Sequence, residues 1–316
     1  MGVGVFSALG EVVTTVETLT DRLARLKGER QAVILAHNYQ TGEVQDVADF
    51  VGDSLELSLQ AARTQAKVIL FAGVHFMAET AKIISPEKTV LVPDPNAGCP
   101  LANMVTPREL AQRRREHPDA VVVCYVNSSA AIKAMSDICC TSANAVKVVA
   151  SIPADRPVLF IPDQSLGQYV AGQLGRELIL WPGYCPTHHR ILARDIRELR
   201  GEHPQAKVVV HPECTGDVIA LADAVASTSG ILRYCRESRE REFIIGTEVA
   251  LLHRLHKENP QKAFYPASPL ADCPNMKLNT VEKMVWSLED MAYEVTVPEE
   301  AAEKARRTLQ RMLELS

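Results

Sequence analysis

The stretch Gln31–Tyr39, QAVILAHNY, is a short continuous apolar run that stops in a polar cluster. A run of this length without polar alternation is the pattern of a strand buried on both faces, as in a parallel sheet covered by helices. The chain repeats the device at Ala120–Asn127 (AVVVCYVN) and Lys207–Glu213 (KVVVHPE). The polar clusters begin at His37, Tyr125 and His211, steps of 88 and 86 residues. Further apolar runs at Lys67–Phe71, Pro157–Ile161 and Glu242–Ile245 alternate with segments of helical pattern. Short apolar strands alternating with helices predict an α/β protein built on parallel sheets.

Two more features keep the register. A small hydroxyl residue stands 17 positions after the start of each cluster, at Ser54, Ser142 and Thr228. Three of the eight cysteines are followed by proline, at Cys99-Pro100, Cys185-Pro186 and Cys273-Pro274, in steps of 86 and 88. Only 18 of the 316 residues are proline, so chance supplies about half of one such pair, and an internal repeat is indicated. It predicts three homologous three-layer αβα lobes with parallel sheets around a pseudo-threefold axis. Their expected bounds are 1–105, including an N-terminal helix, then 106–195 and 196–275. A helical tail, 276–316, has room for a strand near Tyr293–Val297. Each Cys-Pro pair is expected after the third strand of its lobe.

Composition narrows the function. Hydrophobic residues make up 47% and charged residues 23%, ordinary for a soluble globular chain. A net charge of −5 argues against an extended phosphate backbone, and therefore nucleic acid, as partner. The basic run Arg113–Arg115 is bracketed by Glu109 and Glu116 and reads as a solvated helix face. The first residues lack the charged start and apolar core of a secretory signal, and no apolar stretch approaches the ~20 residues that cross a bilayer. Eight cysteines without such a signal point to reduced thiols or metal ligands, and the expected location is cytoplasmic, away from membranes.

In open parallel sheets, ligands bind beyond the carboxyl ends of the strands. The polar clusters there bring His37, Tyr39, Tyr125, Asn127, His211 and Glu213 toward one cavity. Ser54, Ser142 and Thr228 stand at expected helix starts, either as N-caps or as donors to an anion, and the triplicate register favours the second role. Tyr39 and Glu213 are plausible proton-transfer groups, and His188, three residues after Cys185, is close enough to act with them. His75, His117, His203, His253 and His256 read as surface or core residues, and the remaining cysteines carry no assigned role. If Cys99, Cys185 and Cys273 converge, three thiolates accommodate zinc with a water as fourth ligand. They also accommodate three irons of a [4Fe-4S] cluster, whose fourth iron stays open. The spacing alone leaves both open.

The chain resembles the quinolinate synthase family over about Ala32–Asp290. The resemblance is carried in order by AHNYQ, GDSLELS, GCPLANM, YVNSSAAIKA, CTSANA, PDQSLGQYVA, GYCPTHHRI, HPECTGDV, STSGI, GTEVALLHRLH and CPNMKLNTVEKM. It implies the three-lobed fold and the condensation of iminosuccinate with dihydroxyacetone phosphate to quinolinate, phosphate and water, in NAD biosynthesis. It further implies that Cys99, Cys185 and Cys273 hold a [4Fe-4S] cluster. His37, Ser54, Tyr125, Asn127, Ser142, His211, Glu213 and Thr228 then match substrate-contacting positions, and Tyr39, Glu213, Tyr125 and His188 are the expected catalytic groups. The enzyme supplying iminosuccinate is an expected partner. Some family members carry extra cysteines near the third ligand, whereas Cys273 stands alone. Two other readings fit the residues, a different cluster-dependent hydro-lyase acting on a small dicarboxylate and a non-catalytic metal-binding protein. A dinucleotide oxidoreductase fits less well, since no G-x-G-x-x-G follows a strand.

Overall fold

The computed structural model describes residues 4–6, 12–14 and 17–315. A hairpin pairs β1 (Gly4–Phe6) with β2 (Val12–Thr14). Three four-stranded sheets follow. The first contains β3 (Ala32–His37), β4 (Phe50–Gly52), β5 (Val68–Ala72) and β6 (Thr89–Leu91). The second contains β7 (Val121–Tyr125), β8 (Ile138–Cys140), β9 (Val158–Ile161) and β10 (Ile179–Leu180). The third contains β11 (Lys207–Val210), β12 (Ala224–Val225), β13 (Glu242–Gly246) and β14 (Ala263–Pro266). All pairings within them are parallel, and each sheet runs second–first–third–fourth in chain order. The protein is thus an α/β molecule of three like lobes, each a parallel sheet flanked by helices.

The strands form where the sequence is apolar throughout because helices cover both of their faces. Every residue of β5 and β9 is buried, and Leu35, Leu70, Phe160 and Phe243 are sealed completely. Burying one such side chain contributes about 1.5–3 kcal/mol. A capped helix leads into the first two lobes: Thr18 caps Leu19–Arg30 with Asp21 reaching back, and Thr106 caps Pro107–Glu116 with Glu109 reaching back. No described helix is long and apolar enough to cross a membrane.

The second strand of every sheet, two or three residues long, has too short an apolar run to be visible in the sequence. The Cys-Pro loops therefore follow the fourth strand of each lobe, a correction to the expectation of the third. An aspartate clasp sets each short strand against the first. Asp49, Asp137 and Asp223 each accept, at Oδ2, the backbone N–H of Ile34, Val122 and Val208, all at 2.8 Å. Each also pairs with a cation from the helix that precedes the first strand of its sheet: Lys27 at 2.6 Å, Arg114 at 3.4 Å and Arg200 at 2.9 Å. Part of the basic run at 113–115 is thus tied down structurally.

The tail stitches the body together. Helix Val281–Asp290 packs on the first lobe, where Arg30 Nε donates to the Leu288 carbonyl at 3.0 Å. Helix Glu299–Glu314 packs on the second lobe through buried Ala305, Thr308, Leu309 and Met312. Near Tyr293–Val297 there is a single antiparallel bridge, Leu91 with Glu294, in place of a strand.

Candidate active site

The carboxyl ends of β3, β7 and β11 deliver their polar clusters to one cleft of about 150 Å³. His37, Tyr125 and His211 end or directly follow the strands, and Tyr39, Asn127 and Glu213 come two residues later. All six line the cleft, as do Ser54, Ser142, Thr228, His188, Cys99, Cys185 and Cys273. The structure thus brings every residue singled out from sequence to one place.

The strand ends share a local clasp. The Tyr39 N–H donates to His37 Nδ1 at 3.1 Å, and the Glu213 N–H donates to His211 Nδ1 at 3.3 Å. A neutral ring that accepts at Nδ1 carries its hydrogen at Nε2. His211 Nε2 accordingly donates to Ser142 Oγ at 3.2 Å. Burial lowers both rings to about 3, against the opposing pull of Glu213. At neutral pH both therefore offer N–H donors without carrying charge.

Glu213 is the ionised centre of the cleft. Burial alone would raise its pKa, but His188, His211 and the Tyr125 hydroxyl outweigh it and hold the carboxyl far below the usual carboxylate range. His188 Nδ1 lies 2.8 Å from Glu213 Oε2, and Asn127 Nδ2 donates to Oε1 at 3.3 Å. On the other side of the His188 ring, Nε2 meets Thr247 Oγ1 at 3.0 Å and the Tyr39 hydroxyl at 3.3 Å. Tyr39 also touches Thr247 Oγ1 at 2.6 Å. Burial, then the Glu213 charge, pushes the Tyr39 and Tyr125 phenols up, so both are protonated at neutral pH. A continuous hydrogen-bonded path runs from the Tyr39 hydroxyl through His188 to the Glu213 carboxylate.

The three hydroxyl residues differ from N-caps. Asp53 caps helix Ser54–Arg63 and Ser227 caps Thr228–Glu237, so Ser54 and Thr228 are first helical residues. Ser142 precedes Asn144, the cap position of Ala145–Ala150. Side-chain capping by Asp53 and Ser227 spares Ser54 and Thr228 that role, and all three hydroxyl residues line the cleft. Thr228 Oγ1 already accepts from Asn38 Nδ2 of the first lobe at 2.8 Å. Buried Asn127 Oδ1, among the described residues, has no hydrogen-bond partner, which leaves an acceptor in the cleft wall for a ligand donor.

The cysteines separate into two kinds. Cys124, Cys139, Cys140, Cys214 and Cys235 are buried, whereas Cys99, Cys185 and Cys273 are half-buried and open to the cleft. Each of these three is followed within two or three residues by a 3-10 turn: Leu101–Met104, His188–Arg190 and Met276–Leu278. Proline after the cysteine and the tight turn aim backbone N–H groups at the sulfur. Those of Ala102 and Leu101 favour the Cys99 thiolate, that of His188 favours Cys185, and those of Met276 and Asn275 favour Cys273. Burial nevertheless wins and pushes all three thiols up, Cys99 to about 12. Gly183 lets the second loop pass: a Cβ there would lie 2.4 Å from the Pro162 carbonyl oxygen. Thiols with converging N–H donors and no stable anionic form of their own are a donor set that fits a cationic metal group. Among the described residues, the one set of three ligand atoms within 4.8 Å of one another is Cys185, His188 and Glu213. The three Cys-Pro thiols do not form such a set, so at least one pair of their sulfurs lies farther apart than 4.8 Å.

Sequence reasoning missed Thr247, Glu248 and Lys277. Thr247 and Glu248 follow β13 directly, so the rule that ligands gather at strand ends would have found them; Lys277 lies four residues after Cys273 with no such marker.

Proton-handling side chains and thiols buried together at the ends of parallel strands are the makings of an α/β enzyme's active site. Residues 21–314 match the family described as quinolinate synthetase A protein, and the chain belongs to that family. A quinolinate synthase of Dehalococcoides mccartyi is 55% identical over 300 residues, covering 95% of this chain and 99% of that one. The quinolinate synthase of Geobacter metallireducens is 54% identical, covering 94% and 97%. Quinolinate synthase 1 of Methanosarcina acetivorans is also 54% identical, covering 93% and 97%. The protein is an enzyme, with small molecules as its substrates.

Proposed function

We propose that this enzyme condenses iminosuccinate with dihydroxyacetone phosphate to give quinolinate, phosphate and water. Cys99, Cys185 and Cys273 would hold a [4Fe-4S] cluster. The observation that carries the reading is that these three thiols, one from each lobe, alone among eight cysteines open into the cleft that gathers the polar clusters. A single tetrahedral zinc holds its sulfurs roughly 3.8 Å apart at a Zn–S length of about 2.3 Å. At least one pair of these sulfurs is farther apart than 4.8 Å, which suits a polynuclear group better than one zinc. With three thiolate ligands, such a cluster leaves one iron without a protein ligand, which supplies Lewis acidity to a substrate oxygen.

The residues divide the remaining work. His37 is a neutral ring, so its Nε2–H binds a carboxylate or phosphate oxygen without an ion pair that would hold the product, while the neutral His211 ring orients the Ser142 hydroxyl through its own Nε2–H. Ser54, Ser142 and Thr228 add hydroxyl donors near helix starts, which favours anionic groups. Asn127 presents its free oxygen to a donor on the substrate, such as an imine or amine N–H. Tyr39 holds a proton at its hydroxyl and exchanges it along His188 toward Glu213, which suits the isomerisation and dehydrations of ring closure. Tyr125, donating to Glu213, keeps that carboxylate ionised and in place. The same reading places the enzyme in the cytoplasm, beside the enzyme that supplies iminosuccinate.

Product analysis tests it. The anaerobically purified enzyme given iminosuccinate and dihydroxyacetone phosphate should form quinolinate and one phosphate per turnover. Hydration or dehydration of a dicarboxylate alone, with no need for the triose phosphate, would establish the hydro-lyase reading instead.

A further inference from the structure

Glu248 is completely buried, yet it does not line the cleft. Its Oε1 accepts the Cys273 N–H at 3.1 Å and Lys277 Nζ at 2.6 Å, while Oε2 accepts the Ala250 N–H at 2.9 Å. Lys277 Nζ in turn donates to the Tyr39 carbonyl at 2.6 Å. Lys277, which also lies 3.5 Å from Asp272 Oδ1, and Glu248 therefore join the backbone of a cleft residue from the first lobe to the loop of a cleft thiol from the third. Glu248 is sealed and the Lys277 side chain is 23% exposed, so desolvation of the carboxylate offsets much of their attraction and the pair is better explained by what it positions.

We propose that Glu248 and Lys277 are positioning residues: the pair fixes Tyr39 against the Cys273 loop and balances the charge next to the group held by the thiols. Glu248 acts through the Cys273 amide and Lys277 through the Tyr39 carbonyl. Partners one step behind metal ligands commonly change affinity or activity by about 10–100-fold when removed. Their charge also shifts the potential of a bound cluster, a negative neighbour lowering it and a positive one raising it. The inference rests on the function proposed above.

The test compares Lys277→Met, Glu248→Gln and the double variant with the wild-type holoenzyme, all purified anaerobically. Iron per chain, cluster midpoint potential, kcat and KM are measured. Lys277→Met should lower the potential, Glu248→Gln should raise it, and the double variant should return close to wild type. Turnover should fall about 10–100-fold in Lys277→Met, mainly in kcat, because Tyr39 loses its anchor. Lys277→Arg, which keeps the cation, should restore the potential even where the methionine variant folds poorly. Potentials that stay at the wild-type value, or that move the same way in both single variants, overturn the inference. A wild-type protein with no iron and sulfide overturns the proposed function itself, so the two failures are distinct.

Discussion

His188 Nδ1 sits 2.8 Å from Glu213 Oε2, and neither side chain is more than 4% exposed. A carboxylate only accepts hydrogen bonds, so the ring hydrogen at Nδ1 points to Glu213. The Nε2 edge is thereby committed to Thr247 and Tyr39. The pair orients the imidazole and keeps a negative charge beside the neutral His37 and His211 rings.

Replacing Glu213 by Gln keeps the shape and removes that charge. Turnover is expected to fall by about 10²–10⁴-fold, the usual contribution of a positioned proton-transfer group. Iron content should stay at the wild-type level. Steady-state kinetics beside iron quantification checks this; undiminished kcat would remove Glu213 from the proton path.

Tyr39→Phe tests the other end of the path. It deletes the hydroxyl that meets Thr247 and His188 and leaves the ring and backbone in place. Cluster content should be unchanged and kcat should fall at least about 100-fold. Full activity in the phenylalanine variant would refute a proton role for Tyr39.

Acid should unfold the protein early, for a reason with a definite sign. His37 and His211 have folded pKa values lowered by burial to about 3, against about 6.5 in an unfolded chain. In that window the unfolded chain binds more protons, so stability is complete above about pH 6.5 and is lost as the pH falls. Each ring contributes a slope of up to ~1.4 kcal/mol per pH unit. Urea unfolding between about pH 6.5 and 5, above the range where unfolded carboxylates titrate, should show this slope. His37→Gln should reduce it by close to one proton, and an unchanged slope would contradict the assigned burial.

The aspartate clasps predict a purely structural effect. Asp137→Ala leaves the buried Val122 N–H without its acceptor and should cost about 1–3 kcal/mol of stability. Thermal unfolding measures the loss, and KM for either substrate should not move. A shift in KM with unchanged stability would mean that this clasp reaches the cleft.

Much of this was legible because the chain states it three times. One strand-end cluster or one Cys-Pro pair carries little information, but the recurrence of both in one register made His37, Tyr125, His211 and the three thiols visible. Two further series passed unread. Asp49, Asp137 and Asp223 recur in the same steps of 88 and 86, as do Lys88, Arg176 and Lys262. Each of the latter three donates to carbonyls that end the helix after the second strand: Thr64 for Lys88, Val149 for Arg176 and Ser238 for Lys262. They were missed because charged residues are common and their purpose appears only when a partner is seen. The short second strands were hidden because two or three residues have no periodicity. Glu248 stands at a readable strand end, but Lys277 was hidden because its partners, Glu248 and the Tyr39 carbonyl, lie far away in the chain and leave no mark in local sequence.

The central claim is that Cys99, Cys185 and Cys273 jointly hold one iron–sulfur group. Anaerobic purification followed by iron and acid-labile sulfide quantification tests it most directly, in the wild type and in the Cys99→Ser, Cys185→Ser and Cys273→Ser variants. About four iron and four sulfide per chain are predicted for the wild type, with loss of both in every variant. One zinc per chain without sulfide, or a cluster that survives all three substitutions, would contradict it.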